Sequence, residues 1–134
     1  MRAVALKQGW RSGLEAQVAE QLDSLKVPYE YEKLVIKYTP PLKIRRYTPD
    51  FVLLDNGIIV ETKGRFITAD RQKHLVIQAE HPKLDIRFVF SNPWARISKT
   101  SKTTYAAWCE THGFKYASKV IPISWIKEAK NGSL

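Results

Sequence analysis

The chain has 134 residues and a net charge of +9, from 22 Lys plus Arg against 13 Asp plus Glu, and this length predicts one domain with its own hydrophobic core. A hydrophobic content of 44% excludes a disordered chain, one cysteine excludes an intramolecular disulfide, and no apolar run is long enough to cross a bilayer. We expect a soluble cytoplasmic protein whose charge favours nucleic acid over a membrane surface as its partner.

The first predicted elements are a helix and a strand. Ser12 is predicted to cap a helix that runs to about residue 26, because apolar residues then recur at helical spacing. Aromatic and β-branched residues predict one strand over residues 29–38. Two adjacent prolines follow and cannot continue a central strand, so residues 39–46 are predicted to form an extended bridge.

A hairpin over residues 47–63 and a second helix are predicted next. Two apolar runs flank the turn signal Asn56-Gly57, which is typical of a two-residue type I′ turn. Thr68 is predicted to cap a helix over about residues 69–80. The residues expected on its inward face are Leu75, Val76 and Ala79.

The chain after this helix predicts a strand, a loop and a short helix. Apolar alternation predicts a strand over residues 85–91, and residues 92–102 predict a polar, basic loop. Thr103 or Thr104 is expected to cap a helix that runs to about residue 112 and is closed by Gly113.

The last stretch, residues 121–130, is predicted to add a helical turn or two, with Ile123 and Trp125 packed inward. Trp94 and Trp108 are also expected in the core rather than as base-stacking platforms. The order of the elements predicts an α/β (α+β) domain in which helices flank a mixed central sheet.

Three charged residues lie where the hairpin strands are expected to bury apolar side chains. With the type I′ turn, Val52 would pair with Glu61 and Asp50 with Lys63, so the charged side chains would share one face. A register shift of one residue would separate them. The alternative is an ordinary cross-strand salt bridge between Asp50 and Lys63 on a solvated face.

The repulsion between the two carboxylates indicates a metal ion. At about 4 Å and an effective dielectric constant near 20, two like charges repel by roughly 4 kcal/mol. Lys63 supplies one compensating charge, and a divalent cation would supply two more. Carboxylate oxygens without His or Cys favour Mg²⁺ or Mn²⁺ over Zn²⁺, and the Thr62 carbonyl is an expected extra ligand.

The same residues match a nuclease signature. Pro49-Asp50, then ten residues, then Glu61-Thr62-Lys63 fits the PD-(D/E)xK pattern. Further stretches extend the match from about residue 10 to residue 128, and in them the chain resembles the phage endonuclease I family, which resolves four-way DNA junctions. They are RSGLE at 11–15, YTPDF at 47–51, NGIIVETKG at 56–64, RQKHLVIQAEHPKLDIRFVFS at 71–91 and IPISWIKE at 121–128.

The resemblance implies a restriction-endonuclease-like fold and a structure-selective endodeoxyribonuclease of branched DNA. Members of the family are intertwined homodimers that cut Holliday junctions with paired nicks by metal-dependent phosphodiester hydrolysis. For this chain it implies one nuclease domain over residues 1–134, in which residues 12–38 are exchanged between subunits across the bridge 39–46. It also implies action in the host-cell cytoplasm if the chain is phage-encoded.

The resemblance also implies roles for individual residues. Asp50 and Glu61, with the Thr62 carbonyl, would hold Mg²⁺ or Mn²⁺, with two ions in each active site. Lys63 would position the attacking water or stabilise the developing charge. Glu15, supplied by the partner subunit, would help to hold the second metal.

Glu15 has a second interpretation, because it stands three residues after Ser12, in the position of a capping box. The residues alone favour capping, whereas the resemblance favours metal binding. If Glu15 binds metal, Glu15→Gln should abolish cleavage and leave the melting temperature nearly unchanged.

Basic residues supply the candidates for DNA phosphate contacts, and each is open to interpretation as a solvated surface charge. They are Arg11, Lys43, Arg45, Arg46, Arg65, Arg71, Lys73, Arg96, Lys99 and Lys102. Two other functions stay open. Another PD-(D/E)xK enzyme, a nicking or site-specific nuclease, would cut unbranched duplex at a defined site, and a non-catalytic DNA-binding protein would bind without cutting.

Overall fold

The computed structural model describes residues 10–38 and 45–129 of the chain. The helices within these ranges are α1 (Gly13–Ser24), α2 (Thr68–Glu80), α3 (Tyr105–His112) and α4 (Ile123–Ile126). The strands are β1 (Tyr29–Tyr31), β2 (Ile36–Tyr38), β3 (Arg45–Tyr47), β4 (Phe51–Leu53), β5 (Ile59–Lys63), β6 (Ile86–Phe90) and β7 (Tyr116–Ser118). In this part of the chain, no helix has the length and apolar character that a membrane crossing needs.

A five-stranded sheet in the order β1-β4-β5-β6-β7 forms the centre of the fold. β1, β4 and β5 pair antiparallel, whereas β5, β6 and β7 pair parallel. β2 and β3 form a separate antiparallel ribbon. The predicted mixed sheet with flanking helices is therefore confirmed.

Apolar side chains cover both faces of this sheet, because neighbouring strand residues point to opposite sides. The cluster on the α1 side includes Val18, Ala19, Leu22, Phe51 and Val60. The cluster on the side of α2 and α3 includes Ile59, Phe66, Ile77, Phe88 and Trp108. The sheet thus lies between two hydrophobic layers, with α1 and α4 on one side and α2 and α3 on the other.

The predicted helix caps at α1 and α3 are confirmed. The Ser12 hydroxyl accepts a hydrogen bond from the Glu15 N–H at 3.1 Å, and the Thr104 hydroxyl accepts one from the Ala107 N–H at 3.0 Å. Gly113 closes α3 in the left-handed conformation, with φ of 79°, which favours glycine.

The prediction of one strand over residues 29–38 is wrong. The chain leaves the main sheet after β1, where Glu32 adopts a positive φ of 53° that a regular strand does not tolerate. β2 then pairs with β3 in the ribbon. Residues 45–46 of the predicted bridge therefore belong to a strand, and residues 39–44, with both prolines, lie outside the described residues.

The predicted hairpin exists, but its register differs from the predicted one by two residues. Val52 pairs with Ile59 instead of Glu61. Because side chains alternate with a period of two, this shift leaves each strand residue on its predicted face. It also places Asp50, the residue before β4, directly beside Glu61.

The turn of the hairpin explains the shift. A type I′ turn needs positive φ at both central residues, but only Gly57 of the two has one, at 78°. Asn56 is buried instead, and its side chain accepts from the Ile58 N–H and donates to the Trp125 carbonyl. The loop is therefore longer than the predicted two residues and is held by α4.

The inward face of α2 also differs from the predicted one. Its buried residues are Arg71, His74 and Ile77, whereas Leu75 and Val76 are half-buried and Ala79 is exposed. Two of the three buried side chains are polar, so a search for apolar periodicity does not find this face. Thr68 is the first helical residue rather than the N-cap, which is Ile67.

The C-terminal third agrees with the prediction at most positions. The predicted strand is β6, and residues 92–102 form a loop. Trp108 and Trp125 are buried as predicted, whereas Ile123 is 46% exposed and Trp94 is 65% exposed. β7 is not predicted, because its three residues, YAS, carry no apolar alternation.

Candidate active site

Asp50 and Glu61 lie together at the open end of the hairpin, and each is only 4% exposed. Oδ2 of Asp50 accepts hydrogen bonds from the backbone N–H and the hydroxyl of Thr62, at 2.9 and 2.8 Å. The backbone N–H of Asp50 donates to Oε2 of Glu61 at 3.3 Å. The structure therefore brings these predicted site residues into one hydrogen-bonded group.

Lys63 lies two residues after Glu61, on the same face of β5. Its Nζ is 3.7 Å from Oε1 of Glu61 and 3.5 Å from Oδ1 of Asp70 on α2. The Tyr47 hydroxyl donates to Oε2 of Glu61 at 2.9 Å. Among the ion pairs of the described residues, the Asp50–Lys63 salt bridge considered as an alternative does not occur.

Glu15 reaches the same place from the first turn of α1, within one chain. Its Oε1 accepts hydrogen bonds from the Tyr31 hydroxyl at 2.7 Å and from the backbone N–H of Arg11 at 2.8 Å. A capping box would use the N–H of Ser12 instead. Glu15 thus binds the backbone just before the helix but turns its carboxylate towards the sheet.

Glu32 is a site residue that sequence analysis does not identify. Oxygens of Glu15, Glu32 and Asp50 lie within 4.8 Å of one another, a spacing at which three carboxylates can share one cation. Oε2 of Glu32 is buried, and its ion-pair partner is the exposed side chain of Arg11. A continuous strand would make Glu30 and Glu32 equivalent, and only the backbone turn at Glu32 distinguishes them.

Arg11 lies against this acidic group. Its Nε is 2.8 Å from Oε2 of Glu32, and its Nη2 is 3.8 Å from Oδ1 of Asp50 and 4.0 Å from Oε2 of Glu15. The side chain is 68% exposed, so the guanidinium can leave the carboxylates without disturbing the core.

The carboxylates of the site are held in an environment that disfavours their charge. Burial raises the pKa of Glu15, of Asp50 and of Glu61 above the ordinary values. The charge of Glu61 adds to the rise in the pKa of Asp50, whereas Lys63 opposes the rise at Glu61. A bound cation would stabilise the charged form of these carboxylates.

The donor set fits a hard divalent metal ion. The side chains that converge are carboxylates, and the three that lie within 4.8 Å of one another include no His or Cys. Oxygen-only sites of this kind bind Mg²⁺, Mn²⁺ or Ca²⁺. The position of Arg11 gives further support, because its guanidinium already places a positive charge beside the oxygens of Glu32 and Asp50.

A cleft beside the site carries two of the predicted DNA contacts. Its volume is about 540 Å³. The lining residues are Tyr38, Arg45, Ala69, Asp70, Gln72, Lys73 and Val76. Lys73 lies 5.5 Å from the ring centre of Tyr47, and Asp70 pairs with Lys63, so the cleft opens next to the predicted catalytic residues.

The other predicted DNA contacts are distributed over several elements. The exposed ones are Arg11, Arg46, Arg65, Arg96, Lys99 and Lys102, and Lys43 lies outside the described residues. Arg71 does not suit a phosphate contact, because it is buried and donates to the Phe66 carbonyl and the Thr68 hydroxyl. Its guanidinium joins the start of α2 to the preceding turn instead.

The comparison with known proteins decides the family. The sequence model of the family described as Phage endonuclease I matches residues 1–133. The chain belongs to this family. Endonuclease I of Escherichia phage T7 is 51% identical over 121 residues, which cover 90% of this chain and 80% of that protein. Endodeoxyribonuclease 1 of Enterobacteria phage T3 is 48% identical over 123 residues, with 92% and 80% covered.

Membership of the phage endonuclease I family confirms the resemblance found in the sequence and makes the chain an endonuclease by descent. The two relatives are named for DNA or nucleic-acid cleavage. The acidic group described above could hold a divalent metal ion for such chemistry.

Proposed function

We propose that this protein is a metal-dependent endodeoxyribonuclease that resolves four-way junctions in branched DNA with paired nicks. The proposal depends on one observation, which is that four charged side chains converge on one acidic site. Glu15 comes from α1, and Asp50, Glu61 and Lys63 come from the hairpin. The names of the two phage relatives support cleavage of DNA, and the net charge of +9 supports a polyanionic substrate.

Asp50 is the residue through which two cations would share the site. On one side its carboxylate approaches those of Glu15 and Glu32. On the other side the carboxylate accepts from Thr62, and the backbone N–H of Asp50 donates to Glu61. Two Mg²⁺ or Mn²⁺ ions, when bound, would neutralise the phosphate oxygens and lower the pKa of a bound water. The Thr62 carbonyl, next to both carboxylates, is proposed as a further ligand.

Lys63 is proposed to hold the attacking water or the developing negative charge. Its side chain is 16% exposed, and its ammonium lies between Glu61 and Asp70, so it is fixed at the opening of the site. Tyr47 and Tyr31 fix the orientation of Glu61 and Glu15 through their hydroxyls.

The DNA backbone is proposed to cross the cleft and the surface around it. Arg45 and Lys73 line the cleft, and their charges can neutralise phosphates near the scissile bond. The further proposed contacts are Arg11, Arg46, Arg65, Arg96, Lys99, Lys102 and Lys43. Arg71 is not one of the proposed DNA contacts, because its guanidinium donates hydrogen bonds within the fold.

A homodimer with exchanged segments is proposed as the active form, and the host-cell cytoplasm as its place of action. Residues 12–38 supply Glu15 and pack on the rest of the chain through β1 and α1. In an exchanged dimer the same contacts would form with the partner subunit, and residues 39–46 would pass between the two halves. Two active sites in one dimer would account for paired nicks across a junction.

Cleavage of a supercoiled cruciform plasmid tests the proposed function. With Mg²⁺ the protein should linearise the plasmid, and EDTA or Lys63→Ala should stop the reaction. A relaxed plasmid without the cruciform is the control for branch selectivity. Cleavage of unbranched duplex at a defined sequence would indicate a site-specific nuclease, and binding without cleavage would indicate a non-catalytic protein.

A further inference from the structure

Trp94 is the most exposed large apolar side chain in the described part of the chain, at 65%. Tryptophan is highly buried on average in folded proteins, and the other large aromatic rings of the C-terminal third are buried in the core or, for Tyr116, packed against it. Among the described residues, its one ring contact is a perpendicular one with Tyr116, at 6.3 Å. One such contact covers at most one ring face, so the other face is open to solvent.

The backbone around Trp94 is held firmly. The Trp94 N–H donates to the Asn92 side chain at 3.0 Å. The carbonyls on either side, of Pro93 and Ala95, accept hydrogen bonds from α3 at 2.9 Å each, from Ala106 and Tyr105. The exposed indole therefore stands on a rigid support, which lowers the entropy lost when a ligand stacks on it.

Trp94 also lies close to the catalytic edge of the sheet. The Ser91 N–H donates to the Lys63 carbonyl at 3.1 Å. Trp94 follows Ser91 by three residues, so its backbone lies within roughly 11 Å of that hydrogen bond. A nucleotide on the indole would thus be a neighbour of the phosphate at the proposed active site.

The loop that carries Trp94 is basic, and Glu110, the acidic group nearest to its ring partner, is held by the Tyr116 hydroxyl at 2.6 Å. Residues 91–104 contain Arg96, Lys99 and Lys102 and no Asp or Glu, and all three cations are exposed. Aromatic rings combined with basic side chains are the usual surface for unpaired nucleotides, because bases stack on the ring and phosphates pair with the cations. A second copy of this chain is disfavoured at this loop, since the two loops would bring the same three positive charges against each other.

We propose that Trp94 is a stacking platform for an unstacked nucleobase of the DNA next to the branch point, with Arg96, Lys99 and Lys102 on the adjoining phosphates. The proposal rests on the proposed function, because a branch point is where duplex DNA offers unstacked bases. According to the proposal, the loop of residues 92–102 distinguishes branched DNA from fully paired DNA. Trp94, in the surface loop, thus differs in role from the buried tryptophans Trp108 and Trp125.

Equilibrium binding tests the platform with no cleavage required, in EDTA. Trp94→Ala should weaken binding to a four-way junction by about tenfold, within the roughly 5- to 150-fold range of one lost base stack, and leave binding to paired duplex within about twofold. Trp94→Phe should recover most of the loss. Ile123→Ala removes another exposed apolar side chain and is the matched control, expected to bind as the wild type does.

A fluorescent base gives a second readout. With 2-aminopurine at the branch point, wild-type protein should change its emission, and Trp94→Ala should lose the change even at saturation. Lys99→Ala should instead weaken junction and duplex alike and reduce the salt dependence of binding. Equal junction affinity of wild type and Trp94→Ala would overturn the platform, as would a lower molecular mass of the variant in light scattering, which indicates a subunit contact.

The platform and the proposed function fail in different experiments. If the wild-type protein with Mg²⁺ does not cut a cruciform plasmid, the proposed function fails. If it cuts the plasmid and Trp94→Ala binds junctions as well as wild type does, the platform alone fails.

Discussion

Nη2 of Arg11 lies 3.8 Å from Oδ1 of Asp50, while Nε of the same guanidinium lies 2.8 Å from Glu32. A cation of the chain itself thus stands at the group of carboxylates to which we assign metal binding. It offsets part of their mutual repulsion before any metal arrives, and a divalent ion bound there would compete with it.

Replacement of Arg11 by glutamine should therefore strengthen metal binding in the absence of DNA. Removal of one positive charge at about 4 Å from Asp50 is expected to lower the dissociation constant for Mn²⁺ by about tenfold. Calorimetric titration measures this constant directly. Arg96→Gln removes an exposed charge from the loop and should leave it unchanged, and equal constants for wild type and Arg11→Gln would contradict the competition.

Glu15→Gln should abolish cleavage while the melting temperature is kept. In the wild type, the Tyr31 hydroxyl and the Arg11 N–H donate to Oε1 of Glu15. The amide oxygen of glutamine can accept the same two hydrogen bonds, so the substitution removes only the charge. Ser12→Ala should show the opposite, with a loss of about 1 kcal/mol of stability from the missing cap and cleavage retained. Cleavage rates and thermal unfolding of both variants decide between metal binding and capping.

Subunit exchange can be tested with two inactive variants. In an exchanged dimer, a Glu15→Gln chain combined with an Asp50→Asn chain leaves one site with both carboxylates, supplied by different chains. The mixed dimer should therefore nick one strand of a junction, although each homodimer is inactive. If both carboxylates of a site come from the same chain, the mixture stays inactive.

The metal-free protein should lose stability as the pH rises. Burial raises the pKa of Asp50, of Glu61 and of Glu15, so the unfolded chain releases these protons first. The contribution of these three carboxylates to stability is therefore highest below their unfolded pKa, near 4, and falls as the pH passes through the higher folded values. Asp50→Asn should raise the melting temperature at pH 7 in EDTA. Mg²⁺ should raise that of the wild type more than that of the variant.

His74 should make the fold sensitive to acid. It is fully buried, and neither ring nitrogen has a hydrogen-bond partner among the described residues. Burial, with Lys73 and Lys63 nearby, holds its pKa well below the ordinary value. Below about pH 6.5 only the unfolded chain takes up the proton. The free energy of unfolding therefore decreases as the pH falls, by up to about 1.4 kcal/mol per pH unit.

His74→Phe should remove this dependence. The ring packs edge-to-face with Tyr47 and Phe88, at 5.1 and 4.9 Å, so an apolar ring of similar shape fits. Removal of the unsatisfied nitrogens should add about 1–3 kcal/mol at pH 7. Denaturant unfolding between pH 5 and pH 8 measures both effects. His112→Phe, at the end of α3, should keep the wild-type slope, and a wild-type slope in His74→Phe would contradict the assignment.

The parts of the site that follow from strand pairing could be predicted from the sequence. Asp50, Glu61 and Lys63 share a hairpin, and alternation alone assigns their faces even though the register differs by two residues. The exact pairing could not be predicted, because it depends on Asn56 bonding to the Trp125 carbonyl, a contact between residues far apart in sequence.

Other parts depend on local backbone turns and on polar burial. Glu32 joins the site through a positive φ, for which its sequence carries no glycine signal. Arg71 and His74 are buried polar residues that apolar periodicity places outside. The exposure of Trp94 reverses the usual expectation for a tryptophan, so only the structure separates it from Trp108.

The hydrogen bonds from Asn56 to α4 and the residues after it have a consequence for the acidic residues at the open end of the hairpin. Nδ2 of Asn56 holds the Trp125 carbonyl at 2.9 Å and the Glu128 carbonyl at 3.4 Å. The last helix therefore anchors the loop of the hairpin from a distance, and the alignment of the two acidic residues at the open end depends on this anchor.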